Sequence, residues 1–155
     1  MEKVPFFGYI YKRAAILVDR SSPKSRYGVC AKAQEVLSKG YSVCIFPEKE
    51  YLDETILLNS FKQGAFKIAI DHQLSICPIV FLDCKRKFPW YTTHGYPGDL
   101  RVVIHPPLST KGLSQKDVAE LLQKTFDLIH SELKNDPQQK AVNAIDVWKK
   151  VTQVR

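Results

Sequence analysis

An α/β fold, with a mostly parallel sheet flanked by helices, is what this 155-residue sequence predicts. Three observations carry the expectation. Short apolar runs alternate with segments of helical periodicity, the order of a sheet built from βα units. Residues 75–82, SICPIVFL, are almost continuously apolar, as in a strand covered on both faces. The length suits one domain, and 45% hydrophobic with 25% charged residues allows a buried core.

The elements follow in order. Residues 4–13 mix Phe6, Phe7, Tyr9, Ile10 and Tyr11 with Lys12 and Arg13, a short interfacial helix or a buried connector. Residues 15–18 read as a strand ending at Asp19. Ser22 then caps a helix with Pro23 in its first turn. Val29, Ala33, Val36 and Leu37 form its apolar face, and Gly40 ends it in the left-handed region. Residues 42–46 read as a strand stopped by Pro47, with a polar loop to about Ser60. A helix is expected over 62–72, with Phe66, Ile68, Ala69 and Ile70. The strand at 75–82 leads into a loop with Lys85, Arg86, Lys87, Pro89, Pro97 and Gly98. Residues 100–105 form a strand stopped by Pro106 and Pro107. Ser114 and Asp117 resemble a capping box with Asp for the usual Glu. They open a helix bearing Val118, Leu122, Phe126, Ile129 and Leu133. Asp136 and Pro137 separate a more polar segment, so residues 1–135 read as the domain and 136–155 as a polar helical tail.

The net charge of +7 favours anionic partners. Nucleic acid is not expected, because no Gly-rich phosphate loop, helix-turn-helix or RNA-binding aromatic signature occurs. Cys30, Cys44, Cys77 and Cys84 form no Cys-x-x-Cys pair and no zinc spacing, so no metal is expected. The thiols read as reduced, in a cytoplasmic setting, with Cys44 and Cys77 as small buried hydrophobes. No stretch approaches the roughly 20 apolar residues of a membrane span, and the start does not resemble a signal peptide. Any membrane contact is expected to be peripheral, on the cytoplasmic face.

Ligands of open α/β sheets bind at the carboxyl ends of strands. That draws attention to the residues after Val18, Phe46 and Leu82. The informative blocks are Ile45-Phe46-Pro47-Glu48, then Ser60-Phe61-Lys62-Gln63-Gly64-Ala65-Phe66-Lys67, then residues 74–80 with Pro78. Upstream stand Phe6-Phe7-Gly8-Tyr9 and Ile16-Leu17-Val18-Asp19-Arg20. The last four of these blocks in chain order, with Phe6-Phe7-Gly8-Tyr9 before them, over residues 5–133, resemble the glycerophospholipid acyltransferase family of the 1-acylglycerol-3-phosphate acyltransferase type. The resemblance implies a glycerol-3-phosphate acyltransferase-like fold, here incomplete at the N-terminus.

It also implies acyl transfer in phospholipid biosynthesis. An acyl group would pass from acyl-CoA or acyl carrier protein, as co-substrate, to the free hydroxyl of a lysophospholipid. A histidine removes the hydroxyl proton, and donors stabilise the oxyanion. No tightly held cofactor is implied. Arg20, Phe46, Pro47, Glu48, Lys49 and Lys62 are the expected substrate-binding residues, with Arg20 and Glu48 at the places of the family's arginine and glutamate.

Two readings stand for each charged member of that set. Arg20 follows a strand and can grip a phosphate at two points, with Lys24 and Arg26 adding charge, or it pairs with Asp19 or Glu48 as scaffold. Glu48 supports substrate geometry, or it is a turn carboxylate taking a backbone N–H. Lys62 reaches a phosphate, or it is a solvated lysine.

The sequence departs from the family twice. Lys49, Glu50 and Tyr51 stand where Gly, Thr and Arg are usual. The family's His-x-x-x-x-Asp block, which supplies the base, has no counterpart before Asp19 and is expected upstream of Met1, so this chain alone is expected to be inactive. His94 and Asp99 match the spacing but in the wrong order and in a Pro/Gly loop. His72, His105 and His130 lack a carboxylate partner in sequence and read as surface or packing residues.

Lys85, Arg86, Lys87 and Trp90 are the expected membrane contacts, cations for headgroups and an aromatic for the interface. The bland alternative is a solvated loop whose aromatics fold back on the core. A second function class follows from them: a non-catalytic peripheral module that binds anionic lipid.

Overall fold

The computed structural model describes residues 23–48, 56–87, 95 and 97–140. The chain divides into two compact units, Met1–Phe46 and Pro47–Arg155.

In the first unit, helix α1 spans Pro23–Ser38 and begins on its proline, whose missing N–H costs nothing there. Ala33 is buried. The helix ends as Gly40 predicts. Gly40 has φ +80°, its N–H donates to Leu37 O at 2.9 Å, and Tyr41 N–H donates to Val36 O at 3.4 Å. That pair of reversed bonds is the Schellman stop, which a residue with a Cβ resists.

Residues 42–46, expected as a strand, form no ladder with any described residue. Ile45 and Phe46 are exposed, Phe46 by 76%. A strand is defined by its partner, and apolar residues alone do not supply one. Cys44 and Cys77, expected to be buried, are exposed free thiols.

In the second unit, helix α2 spans Gly64–Asp71, strand β1 Ile79–Phe81, helical turn α3 Cys84–Lys87 and strand β2 Val102–Ile104. A 3-10 turn, Gln115–Asp117, leads into helix α4, Val118–Asn135, and helix α5 covers Pro137–Lys140. The expected 62–72 helix is therefore shorter at both ends, and the loop at Lys85 contains a helical turn.

Among the described residues the sheet has two strands, and they are antiparallel, not parallel. Ile79 faces Ile104, Val80 faces Val103 and Phe81 faces Val102. The expected strands at 75–82 and 100–105 shrink to three residues each, extended by Leu82 N–H to Arg101 O and His105 N–H to Pro78 O. Beyond Pro78 the register slips. Ile76 bridges Leu108, so the step from 76 to 79 opposes a longer step from 104 to 108. The extra residue falls at Pro106-Pro107, which have no N–H to give a ladder.

The core of this unit is Phe66, Ile70, Val118 and Leu121, with Phe61, Ile76, Leu108, Leu113 and Leu122 packed around it. Phe66 and Ile70 lie one turn apart on α2, and Val118 and Leu121 share a face of α4. Burying each such side chain contributes about 1.5–3 kcal/mol. The buried stripe of α4 is Val118, Leu121 and Thr125, with the Thr125 hydroxyl satisfied by Leu121 O at 2.8 Å. Start and stop of α4 follow sequence. The Asp117 carboxylate accepts Ser114 N–H at 2.7 Å, and Asp136-Pro137 ends the helix.

Two buried polar groups tie the pieces together. Thr110, fully buried, donates to Leu74 O at 2.9 Å, joining the turn before α4 to the end of α2. Asp83, also fully buried, accepts Arg101 N–H at 2.8 Å, Arg101 Nε–H at 3.0 Å and Arg101 Nη2–H at 2.8 Å. Arg86 Nη2 adds a bond at 2.7 Å. The other side of the Arg101 fork grips Asp136, Nη1 and Nη2 each at 2.8 Å. One guanidinium thus joins the end of β1, the start of β2 and the end of α4. The Arg101 bonds hold the Asp83 carboxyl far below the usual carboxylate range despite its burial, and they lower Asp136 as well.

Two outcomes follow. Asp83→Ala leaves two guanidiniums without their buried partner and should lower unfolding free energy by about 3 kcal/mol, measured by urea denaturation. Because both aspartates are depressed in the folded state, their stabilisation is complete above the ordinary carboxylate range. It is lost as pH falls below about 4. Urea midpoints should therefore drop from pH 5 to pH 3 in the wild type, and less steeply in Arg101→Ala.

Candidate functional site

Residues 47–48 and 59–62 form a clasp. Lys62 N–H donates to Pro47 O at 2.8 Å, and Glu48 pairs with Phe61 in an isolated antiparallel bridge. The Glu48 carboxylate turns back along this pair, where Oε2 accepts Asn59 N–H at 3.1 Å. The three contacts close the base of the segment between Glu48 and Asn59.

The clasp is anchored in the core. Phe61 stacks on Phe66, with ring centroids 6.3 Å apart, and meets the edge of Phe126 at 5.2 Å. Those aromatic pairs fix Lys62 and the start of α2, because only Lys62 and Gln63 separate Phe61 from Gly64. Gln63 makes no side-chain cap, so the first N–H groups of α2 are not used by it.

The structure brings together four residues of the two central blocks: Pro47, Glu48, Phe61 and Lys62. Of the expected substrate positions, Glu48 is half-buried and Lys62 exposed. Phe46 is exposed in the other unit. Arg20 and Lys49 lie outside the described residues, as does Trp90. For Glu48 the structure shows the backbone contact of the second reading: Oε2 takes the Asn59 N–H, while Oε1 accepts no hydrogen bond among the described residues.

The expected membrane cations have partners inside the protein. Lys85 Nζ donates to Ile56 O at 2.6 Å, Arg86 is held by Asp83, and Lys87 Nζ donates to Pro97 O at 3.0 Å. Gly98, beside the Lys87 ammonium, has φ +132°, a backbone conformation that favours glycine. Lys85 and Lys87 meet neutral carbonyls, which satisfy hydrogen bonds without cancelling charge.

Among the histidines, His130 stacks on Phe126 with centroids 5.7 Å apart. His105 does have an acidic neighbour, contrary to the sequence reading. Its Nε2 is buried without a hydrogen bond, and Glu132 Oε2 lies 3.7 Å away. The partners are 27 positions apart (105 and 132), beyond what local sequence shows. Asp99 is exposed, and His94 lies outside the described residues.

Asn59, Asp83, Arg101, Thr110 and Asp136 are the residues that sequence reading missed. Asn59 sat in what read as a polar loop, yet it is buried, and its Nδ2 has no hydrogen-bond partner. The apolar pair Leu57-Leu58 just before it was the available signal. Leaving a buried amide donor unpaired costs about 1–3 kcal/mol.

Among the described residues, no cluster of three or more His, Cys, Asp or Glu could hold a metal ion. None of the described helices is long and apolar enough to cross a membrane. Chemically, the clasp offers a carboxylate acceptor, an exposed ammonium and a helix start with N–H groups to give. Such a set matches a polyol phosphate, whose hydroxyls donate and whose phosphate accepts.

The sequence has relatives among known proteins. The chain is 33% identical over 123 residues to a 1-acyl-sn-glycerol-3-phosphate acyltransferase of Pseudomonas aeruginosa, covering 78% of this chain and 47% of the relative. It is 33% identical over 111 residues to the mouse 1-acyl-sn-glycerol-3-phosphate acyltransferase alpha, covering 68% of this chain and 38% of the relative. The human alpha enzyme is 30% identical over 110 residues, covering 70% and 38%. The chain thus spans less than half the length of these relatives. No solved structure matches. The acyltransferase family model matches residues 1–82, which contain every expected substrate position from Arg20 to Lys62. The chain belongs to the acyltransferase family.

Proposed function

We propose that this chain is the acceptor-binding part of an acyltransferase of phospholipid biosynthesis. The reaction passes an acyl group from acyl-CoA or acyl carrier protein to the free hydroxyl of a lysophospholipid, with 1-acylglycerol-3-phosphate as the first candidate. The clasp that joins Pro47-Glu48 to Phe61-Lys62 carries the reading, because it assembles two separate family blocks in one place. The names of the relatives support the choice of acceptor.

In this reading the Glu48 carboxylate accepts a hydrogen bond from the glycerol part of the acceptor. Lys62 and Arg20 attract its phosphate, and Lys49, two positions before the Tyr51 that stands at the family's arginine, replaces some of that charge as a point charge. The base comes from a His-x-x-x-x-Asp block outside these 155 residues. It removes the hydroxyl proton, the oxygen attacks the thioester carbonyl, and the carrier thiolate leaves with a proton. The reading includes a larger, mostly parallel sheet, in which residues 15–18 and 42–46 find ladder partners, and a cytoplasmic membrane surface as the place of work, touched by Lys85, Arg86, Lys87 and Trp90.

Release of free CoA from oleoyl-CoA with lysophosphatidate tests the activity. The chain alone should show none. The chain joined behind a segment supplying His-x-x-x-x-Asp should turn over, and Glu48→Gln in that fusion should lose at least about tenfold in kcat/KM, the worth of one charge-assisted bond. Silence in both forms overturns the proposal. Flotation on vesicles with and without anionic lipid tests the membrane reading separately: binding indifferent to lipid charge and to salt removes it.

A further inference from the structure

Asn59 makes two uses of one position. Its main-chain N–H holds Glu48 Oε2 at 3.1 Å, and its side chain is buried with Nδ2 unpartnered. Native interiors seldom keep such a donor, because an apolar side chain of the same shape avoids the loss. Here it belongs to the residue whose main-chain N–H holds a carboxylate of the family block, two positions before the Glu48–Phe61 bridge. Among the described residues, nothing in the resting arrangement accepts its proton.

We propose that Asn59 is the positioning residue of Glu48 and that its side-chain amide is a donor reserved for the acceptor-bound state. The inference rests on the acceptor-side reading above. In the free chain the main-chain N–H holds Oε2, which leaves Oε1 to meet a hydroxyl. When the acceptor occupies the clasp, the carboxylate shifts toward the hydroxyl that donates to it, and the Asn59 amide turns about its side-chain torsions to give Oε2 a second hydrogen bond beside that of the main-chain N–H. The unpartnered donor of the free chain thus becomes a bond of the complex. The amide strengthens acceptor binding by acting through Glu48, without touching the reacting atoms.

The clasp also gives this switch a defined reach. Asn59 and Glu48 mark the two ends of the segment that holds Lys49, Glu50 and Tyr51, the residues at the family's Gly-Thr-Arg positions. A carboxylate that is held from both donors fixes where that segment leaves and rejoins the fold.

The test measures binding of hexanoyl-lysophosphatidate to the full chain by calorimetry, alongside urea midpoints for each variant. Asn59→Leu keeps the shape and the main-chain N–H but removes the amide. It should unfold at an equal or higher urea concentration and bind the probe about tenfold more weakly, the equivalent of one hydrogen bond. Asn59→Asp replaces the donor by an acceptor beside Glu48. Its binding relative to wild type at the same pH should be weak at pH 7 and recover toward pH 4, as the introduced carboxyl regains a proton to donate. A purely structural asparagine predicts neither the opposed movement of stability and affinity nor the pH profile. Equal affinity of wild type and Asn59→Leu, or parallel loss of stability and binding, overturns the assignment and leaves the acceptor-side reading standing. No binding by the wild-type chain overturns both.

Discussion

The fold of the Pro47–Arg155 unit depends on one guanidinium. Arg101 reaches Asp83 with one edge and Asp136 with the other, and its own N–H completes the grip on Asp83. A carboxylate buried as fully as Asp83 is tolerable only with several N–H donors around it. Lysine could not serve here, because a single ammonium lacks the planar fork that addresses two carboxylates at once. The consequence is architectural. Asp83 and Arg101 lie at the mouth of the reversal between β1 and β2, so their bond closes an antiparallel pair. Asp136 then fixes the end of α4 against that pair.

From this clamp the positioning runs toward the site. With its end held, α4 presents Val118 and Leu121 to Phe66 and Ile70 of α2. Phe126 of the same helix abuts Phe61, and Phe61 stacks on Phe66. Phe61 is also the bridge partner of Glu48. A chain of packed and hydrogen-bonded groups therefore connects a buried ion cluster to a carboxylate at the candidate site. The two ends of the segment between Glu48 and Asn59 are thereby tied to that core.

What the sequence made legible was local. Pro23 and Gly40 bracket α1, Ser114 and Asp117 announce α4, and Asp136-Pro137 ends it, because each signal acts within a turn or two of its own backbone. Family resemblance ordered the block from Ser60 to Lys67 after Glu48 along the chain, but their pairing in space came with the structure. What was illegible was pairing at a distance. Residues 42–46 have strand-like composition, yet composition does not supply a ladder. The direction of β1 against β2 is decided by Asp83 meeting Arg101, 18 positions later, and no periodicity reports that meeting. The same limit hid Glu132 from His105 and burial from Asn59. Glu48 was ambiguous for a different reason: a carboxylate has two oxygens, and the structure gives one to the backbone while the other takes no partner among the described residues.

The arrangement bears on how a site of this kind could work with a base supplied from elsewhere. Among the described residues, every contact that orients Glu48 comes from Pro47, Asn59, Phe61 and Lys62, and the core beneath them comes from α2 and α4. All of these lie in one compact unit. The geometry of Glu48 is therefore set by contacts within that unit. Catalysis by proximity needs each reacting group held within a fraction of an ångström of its productive place. On the proposed reading, a carboxylate clasped in this way serves that requirement on the acceptor side, and the base-bearing block has one alignment left to make, of its imidazole with the hydroxyl.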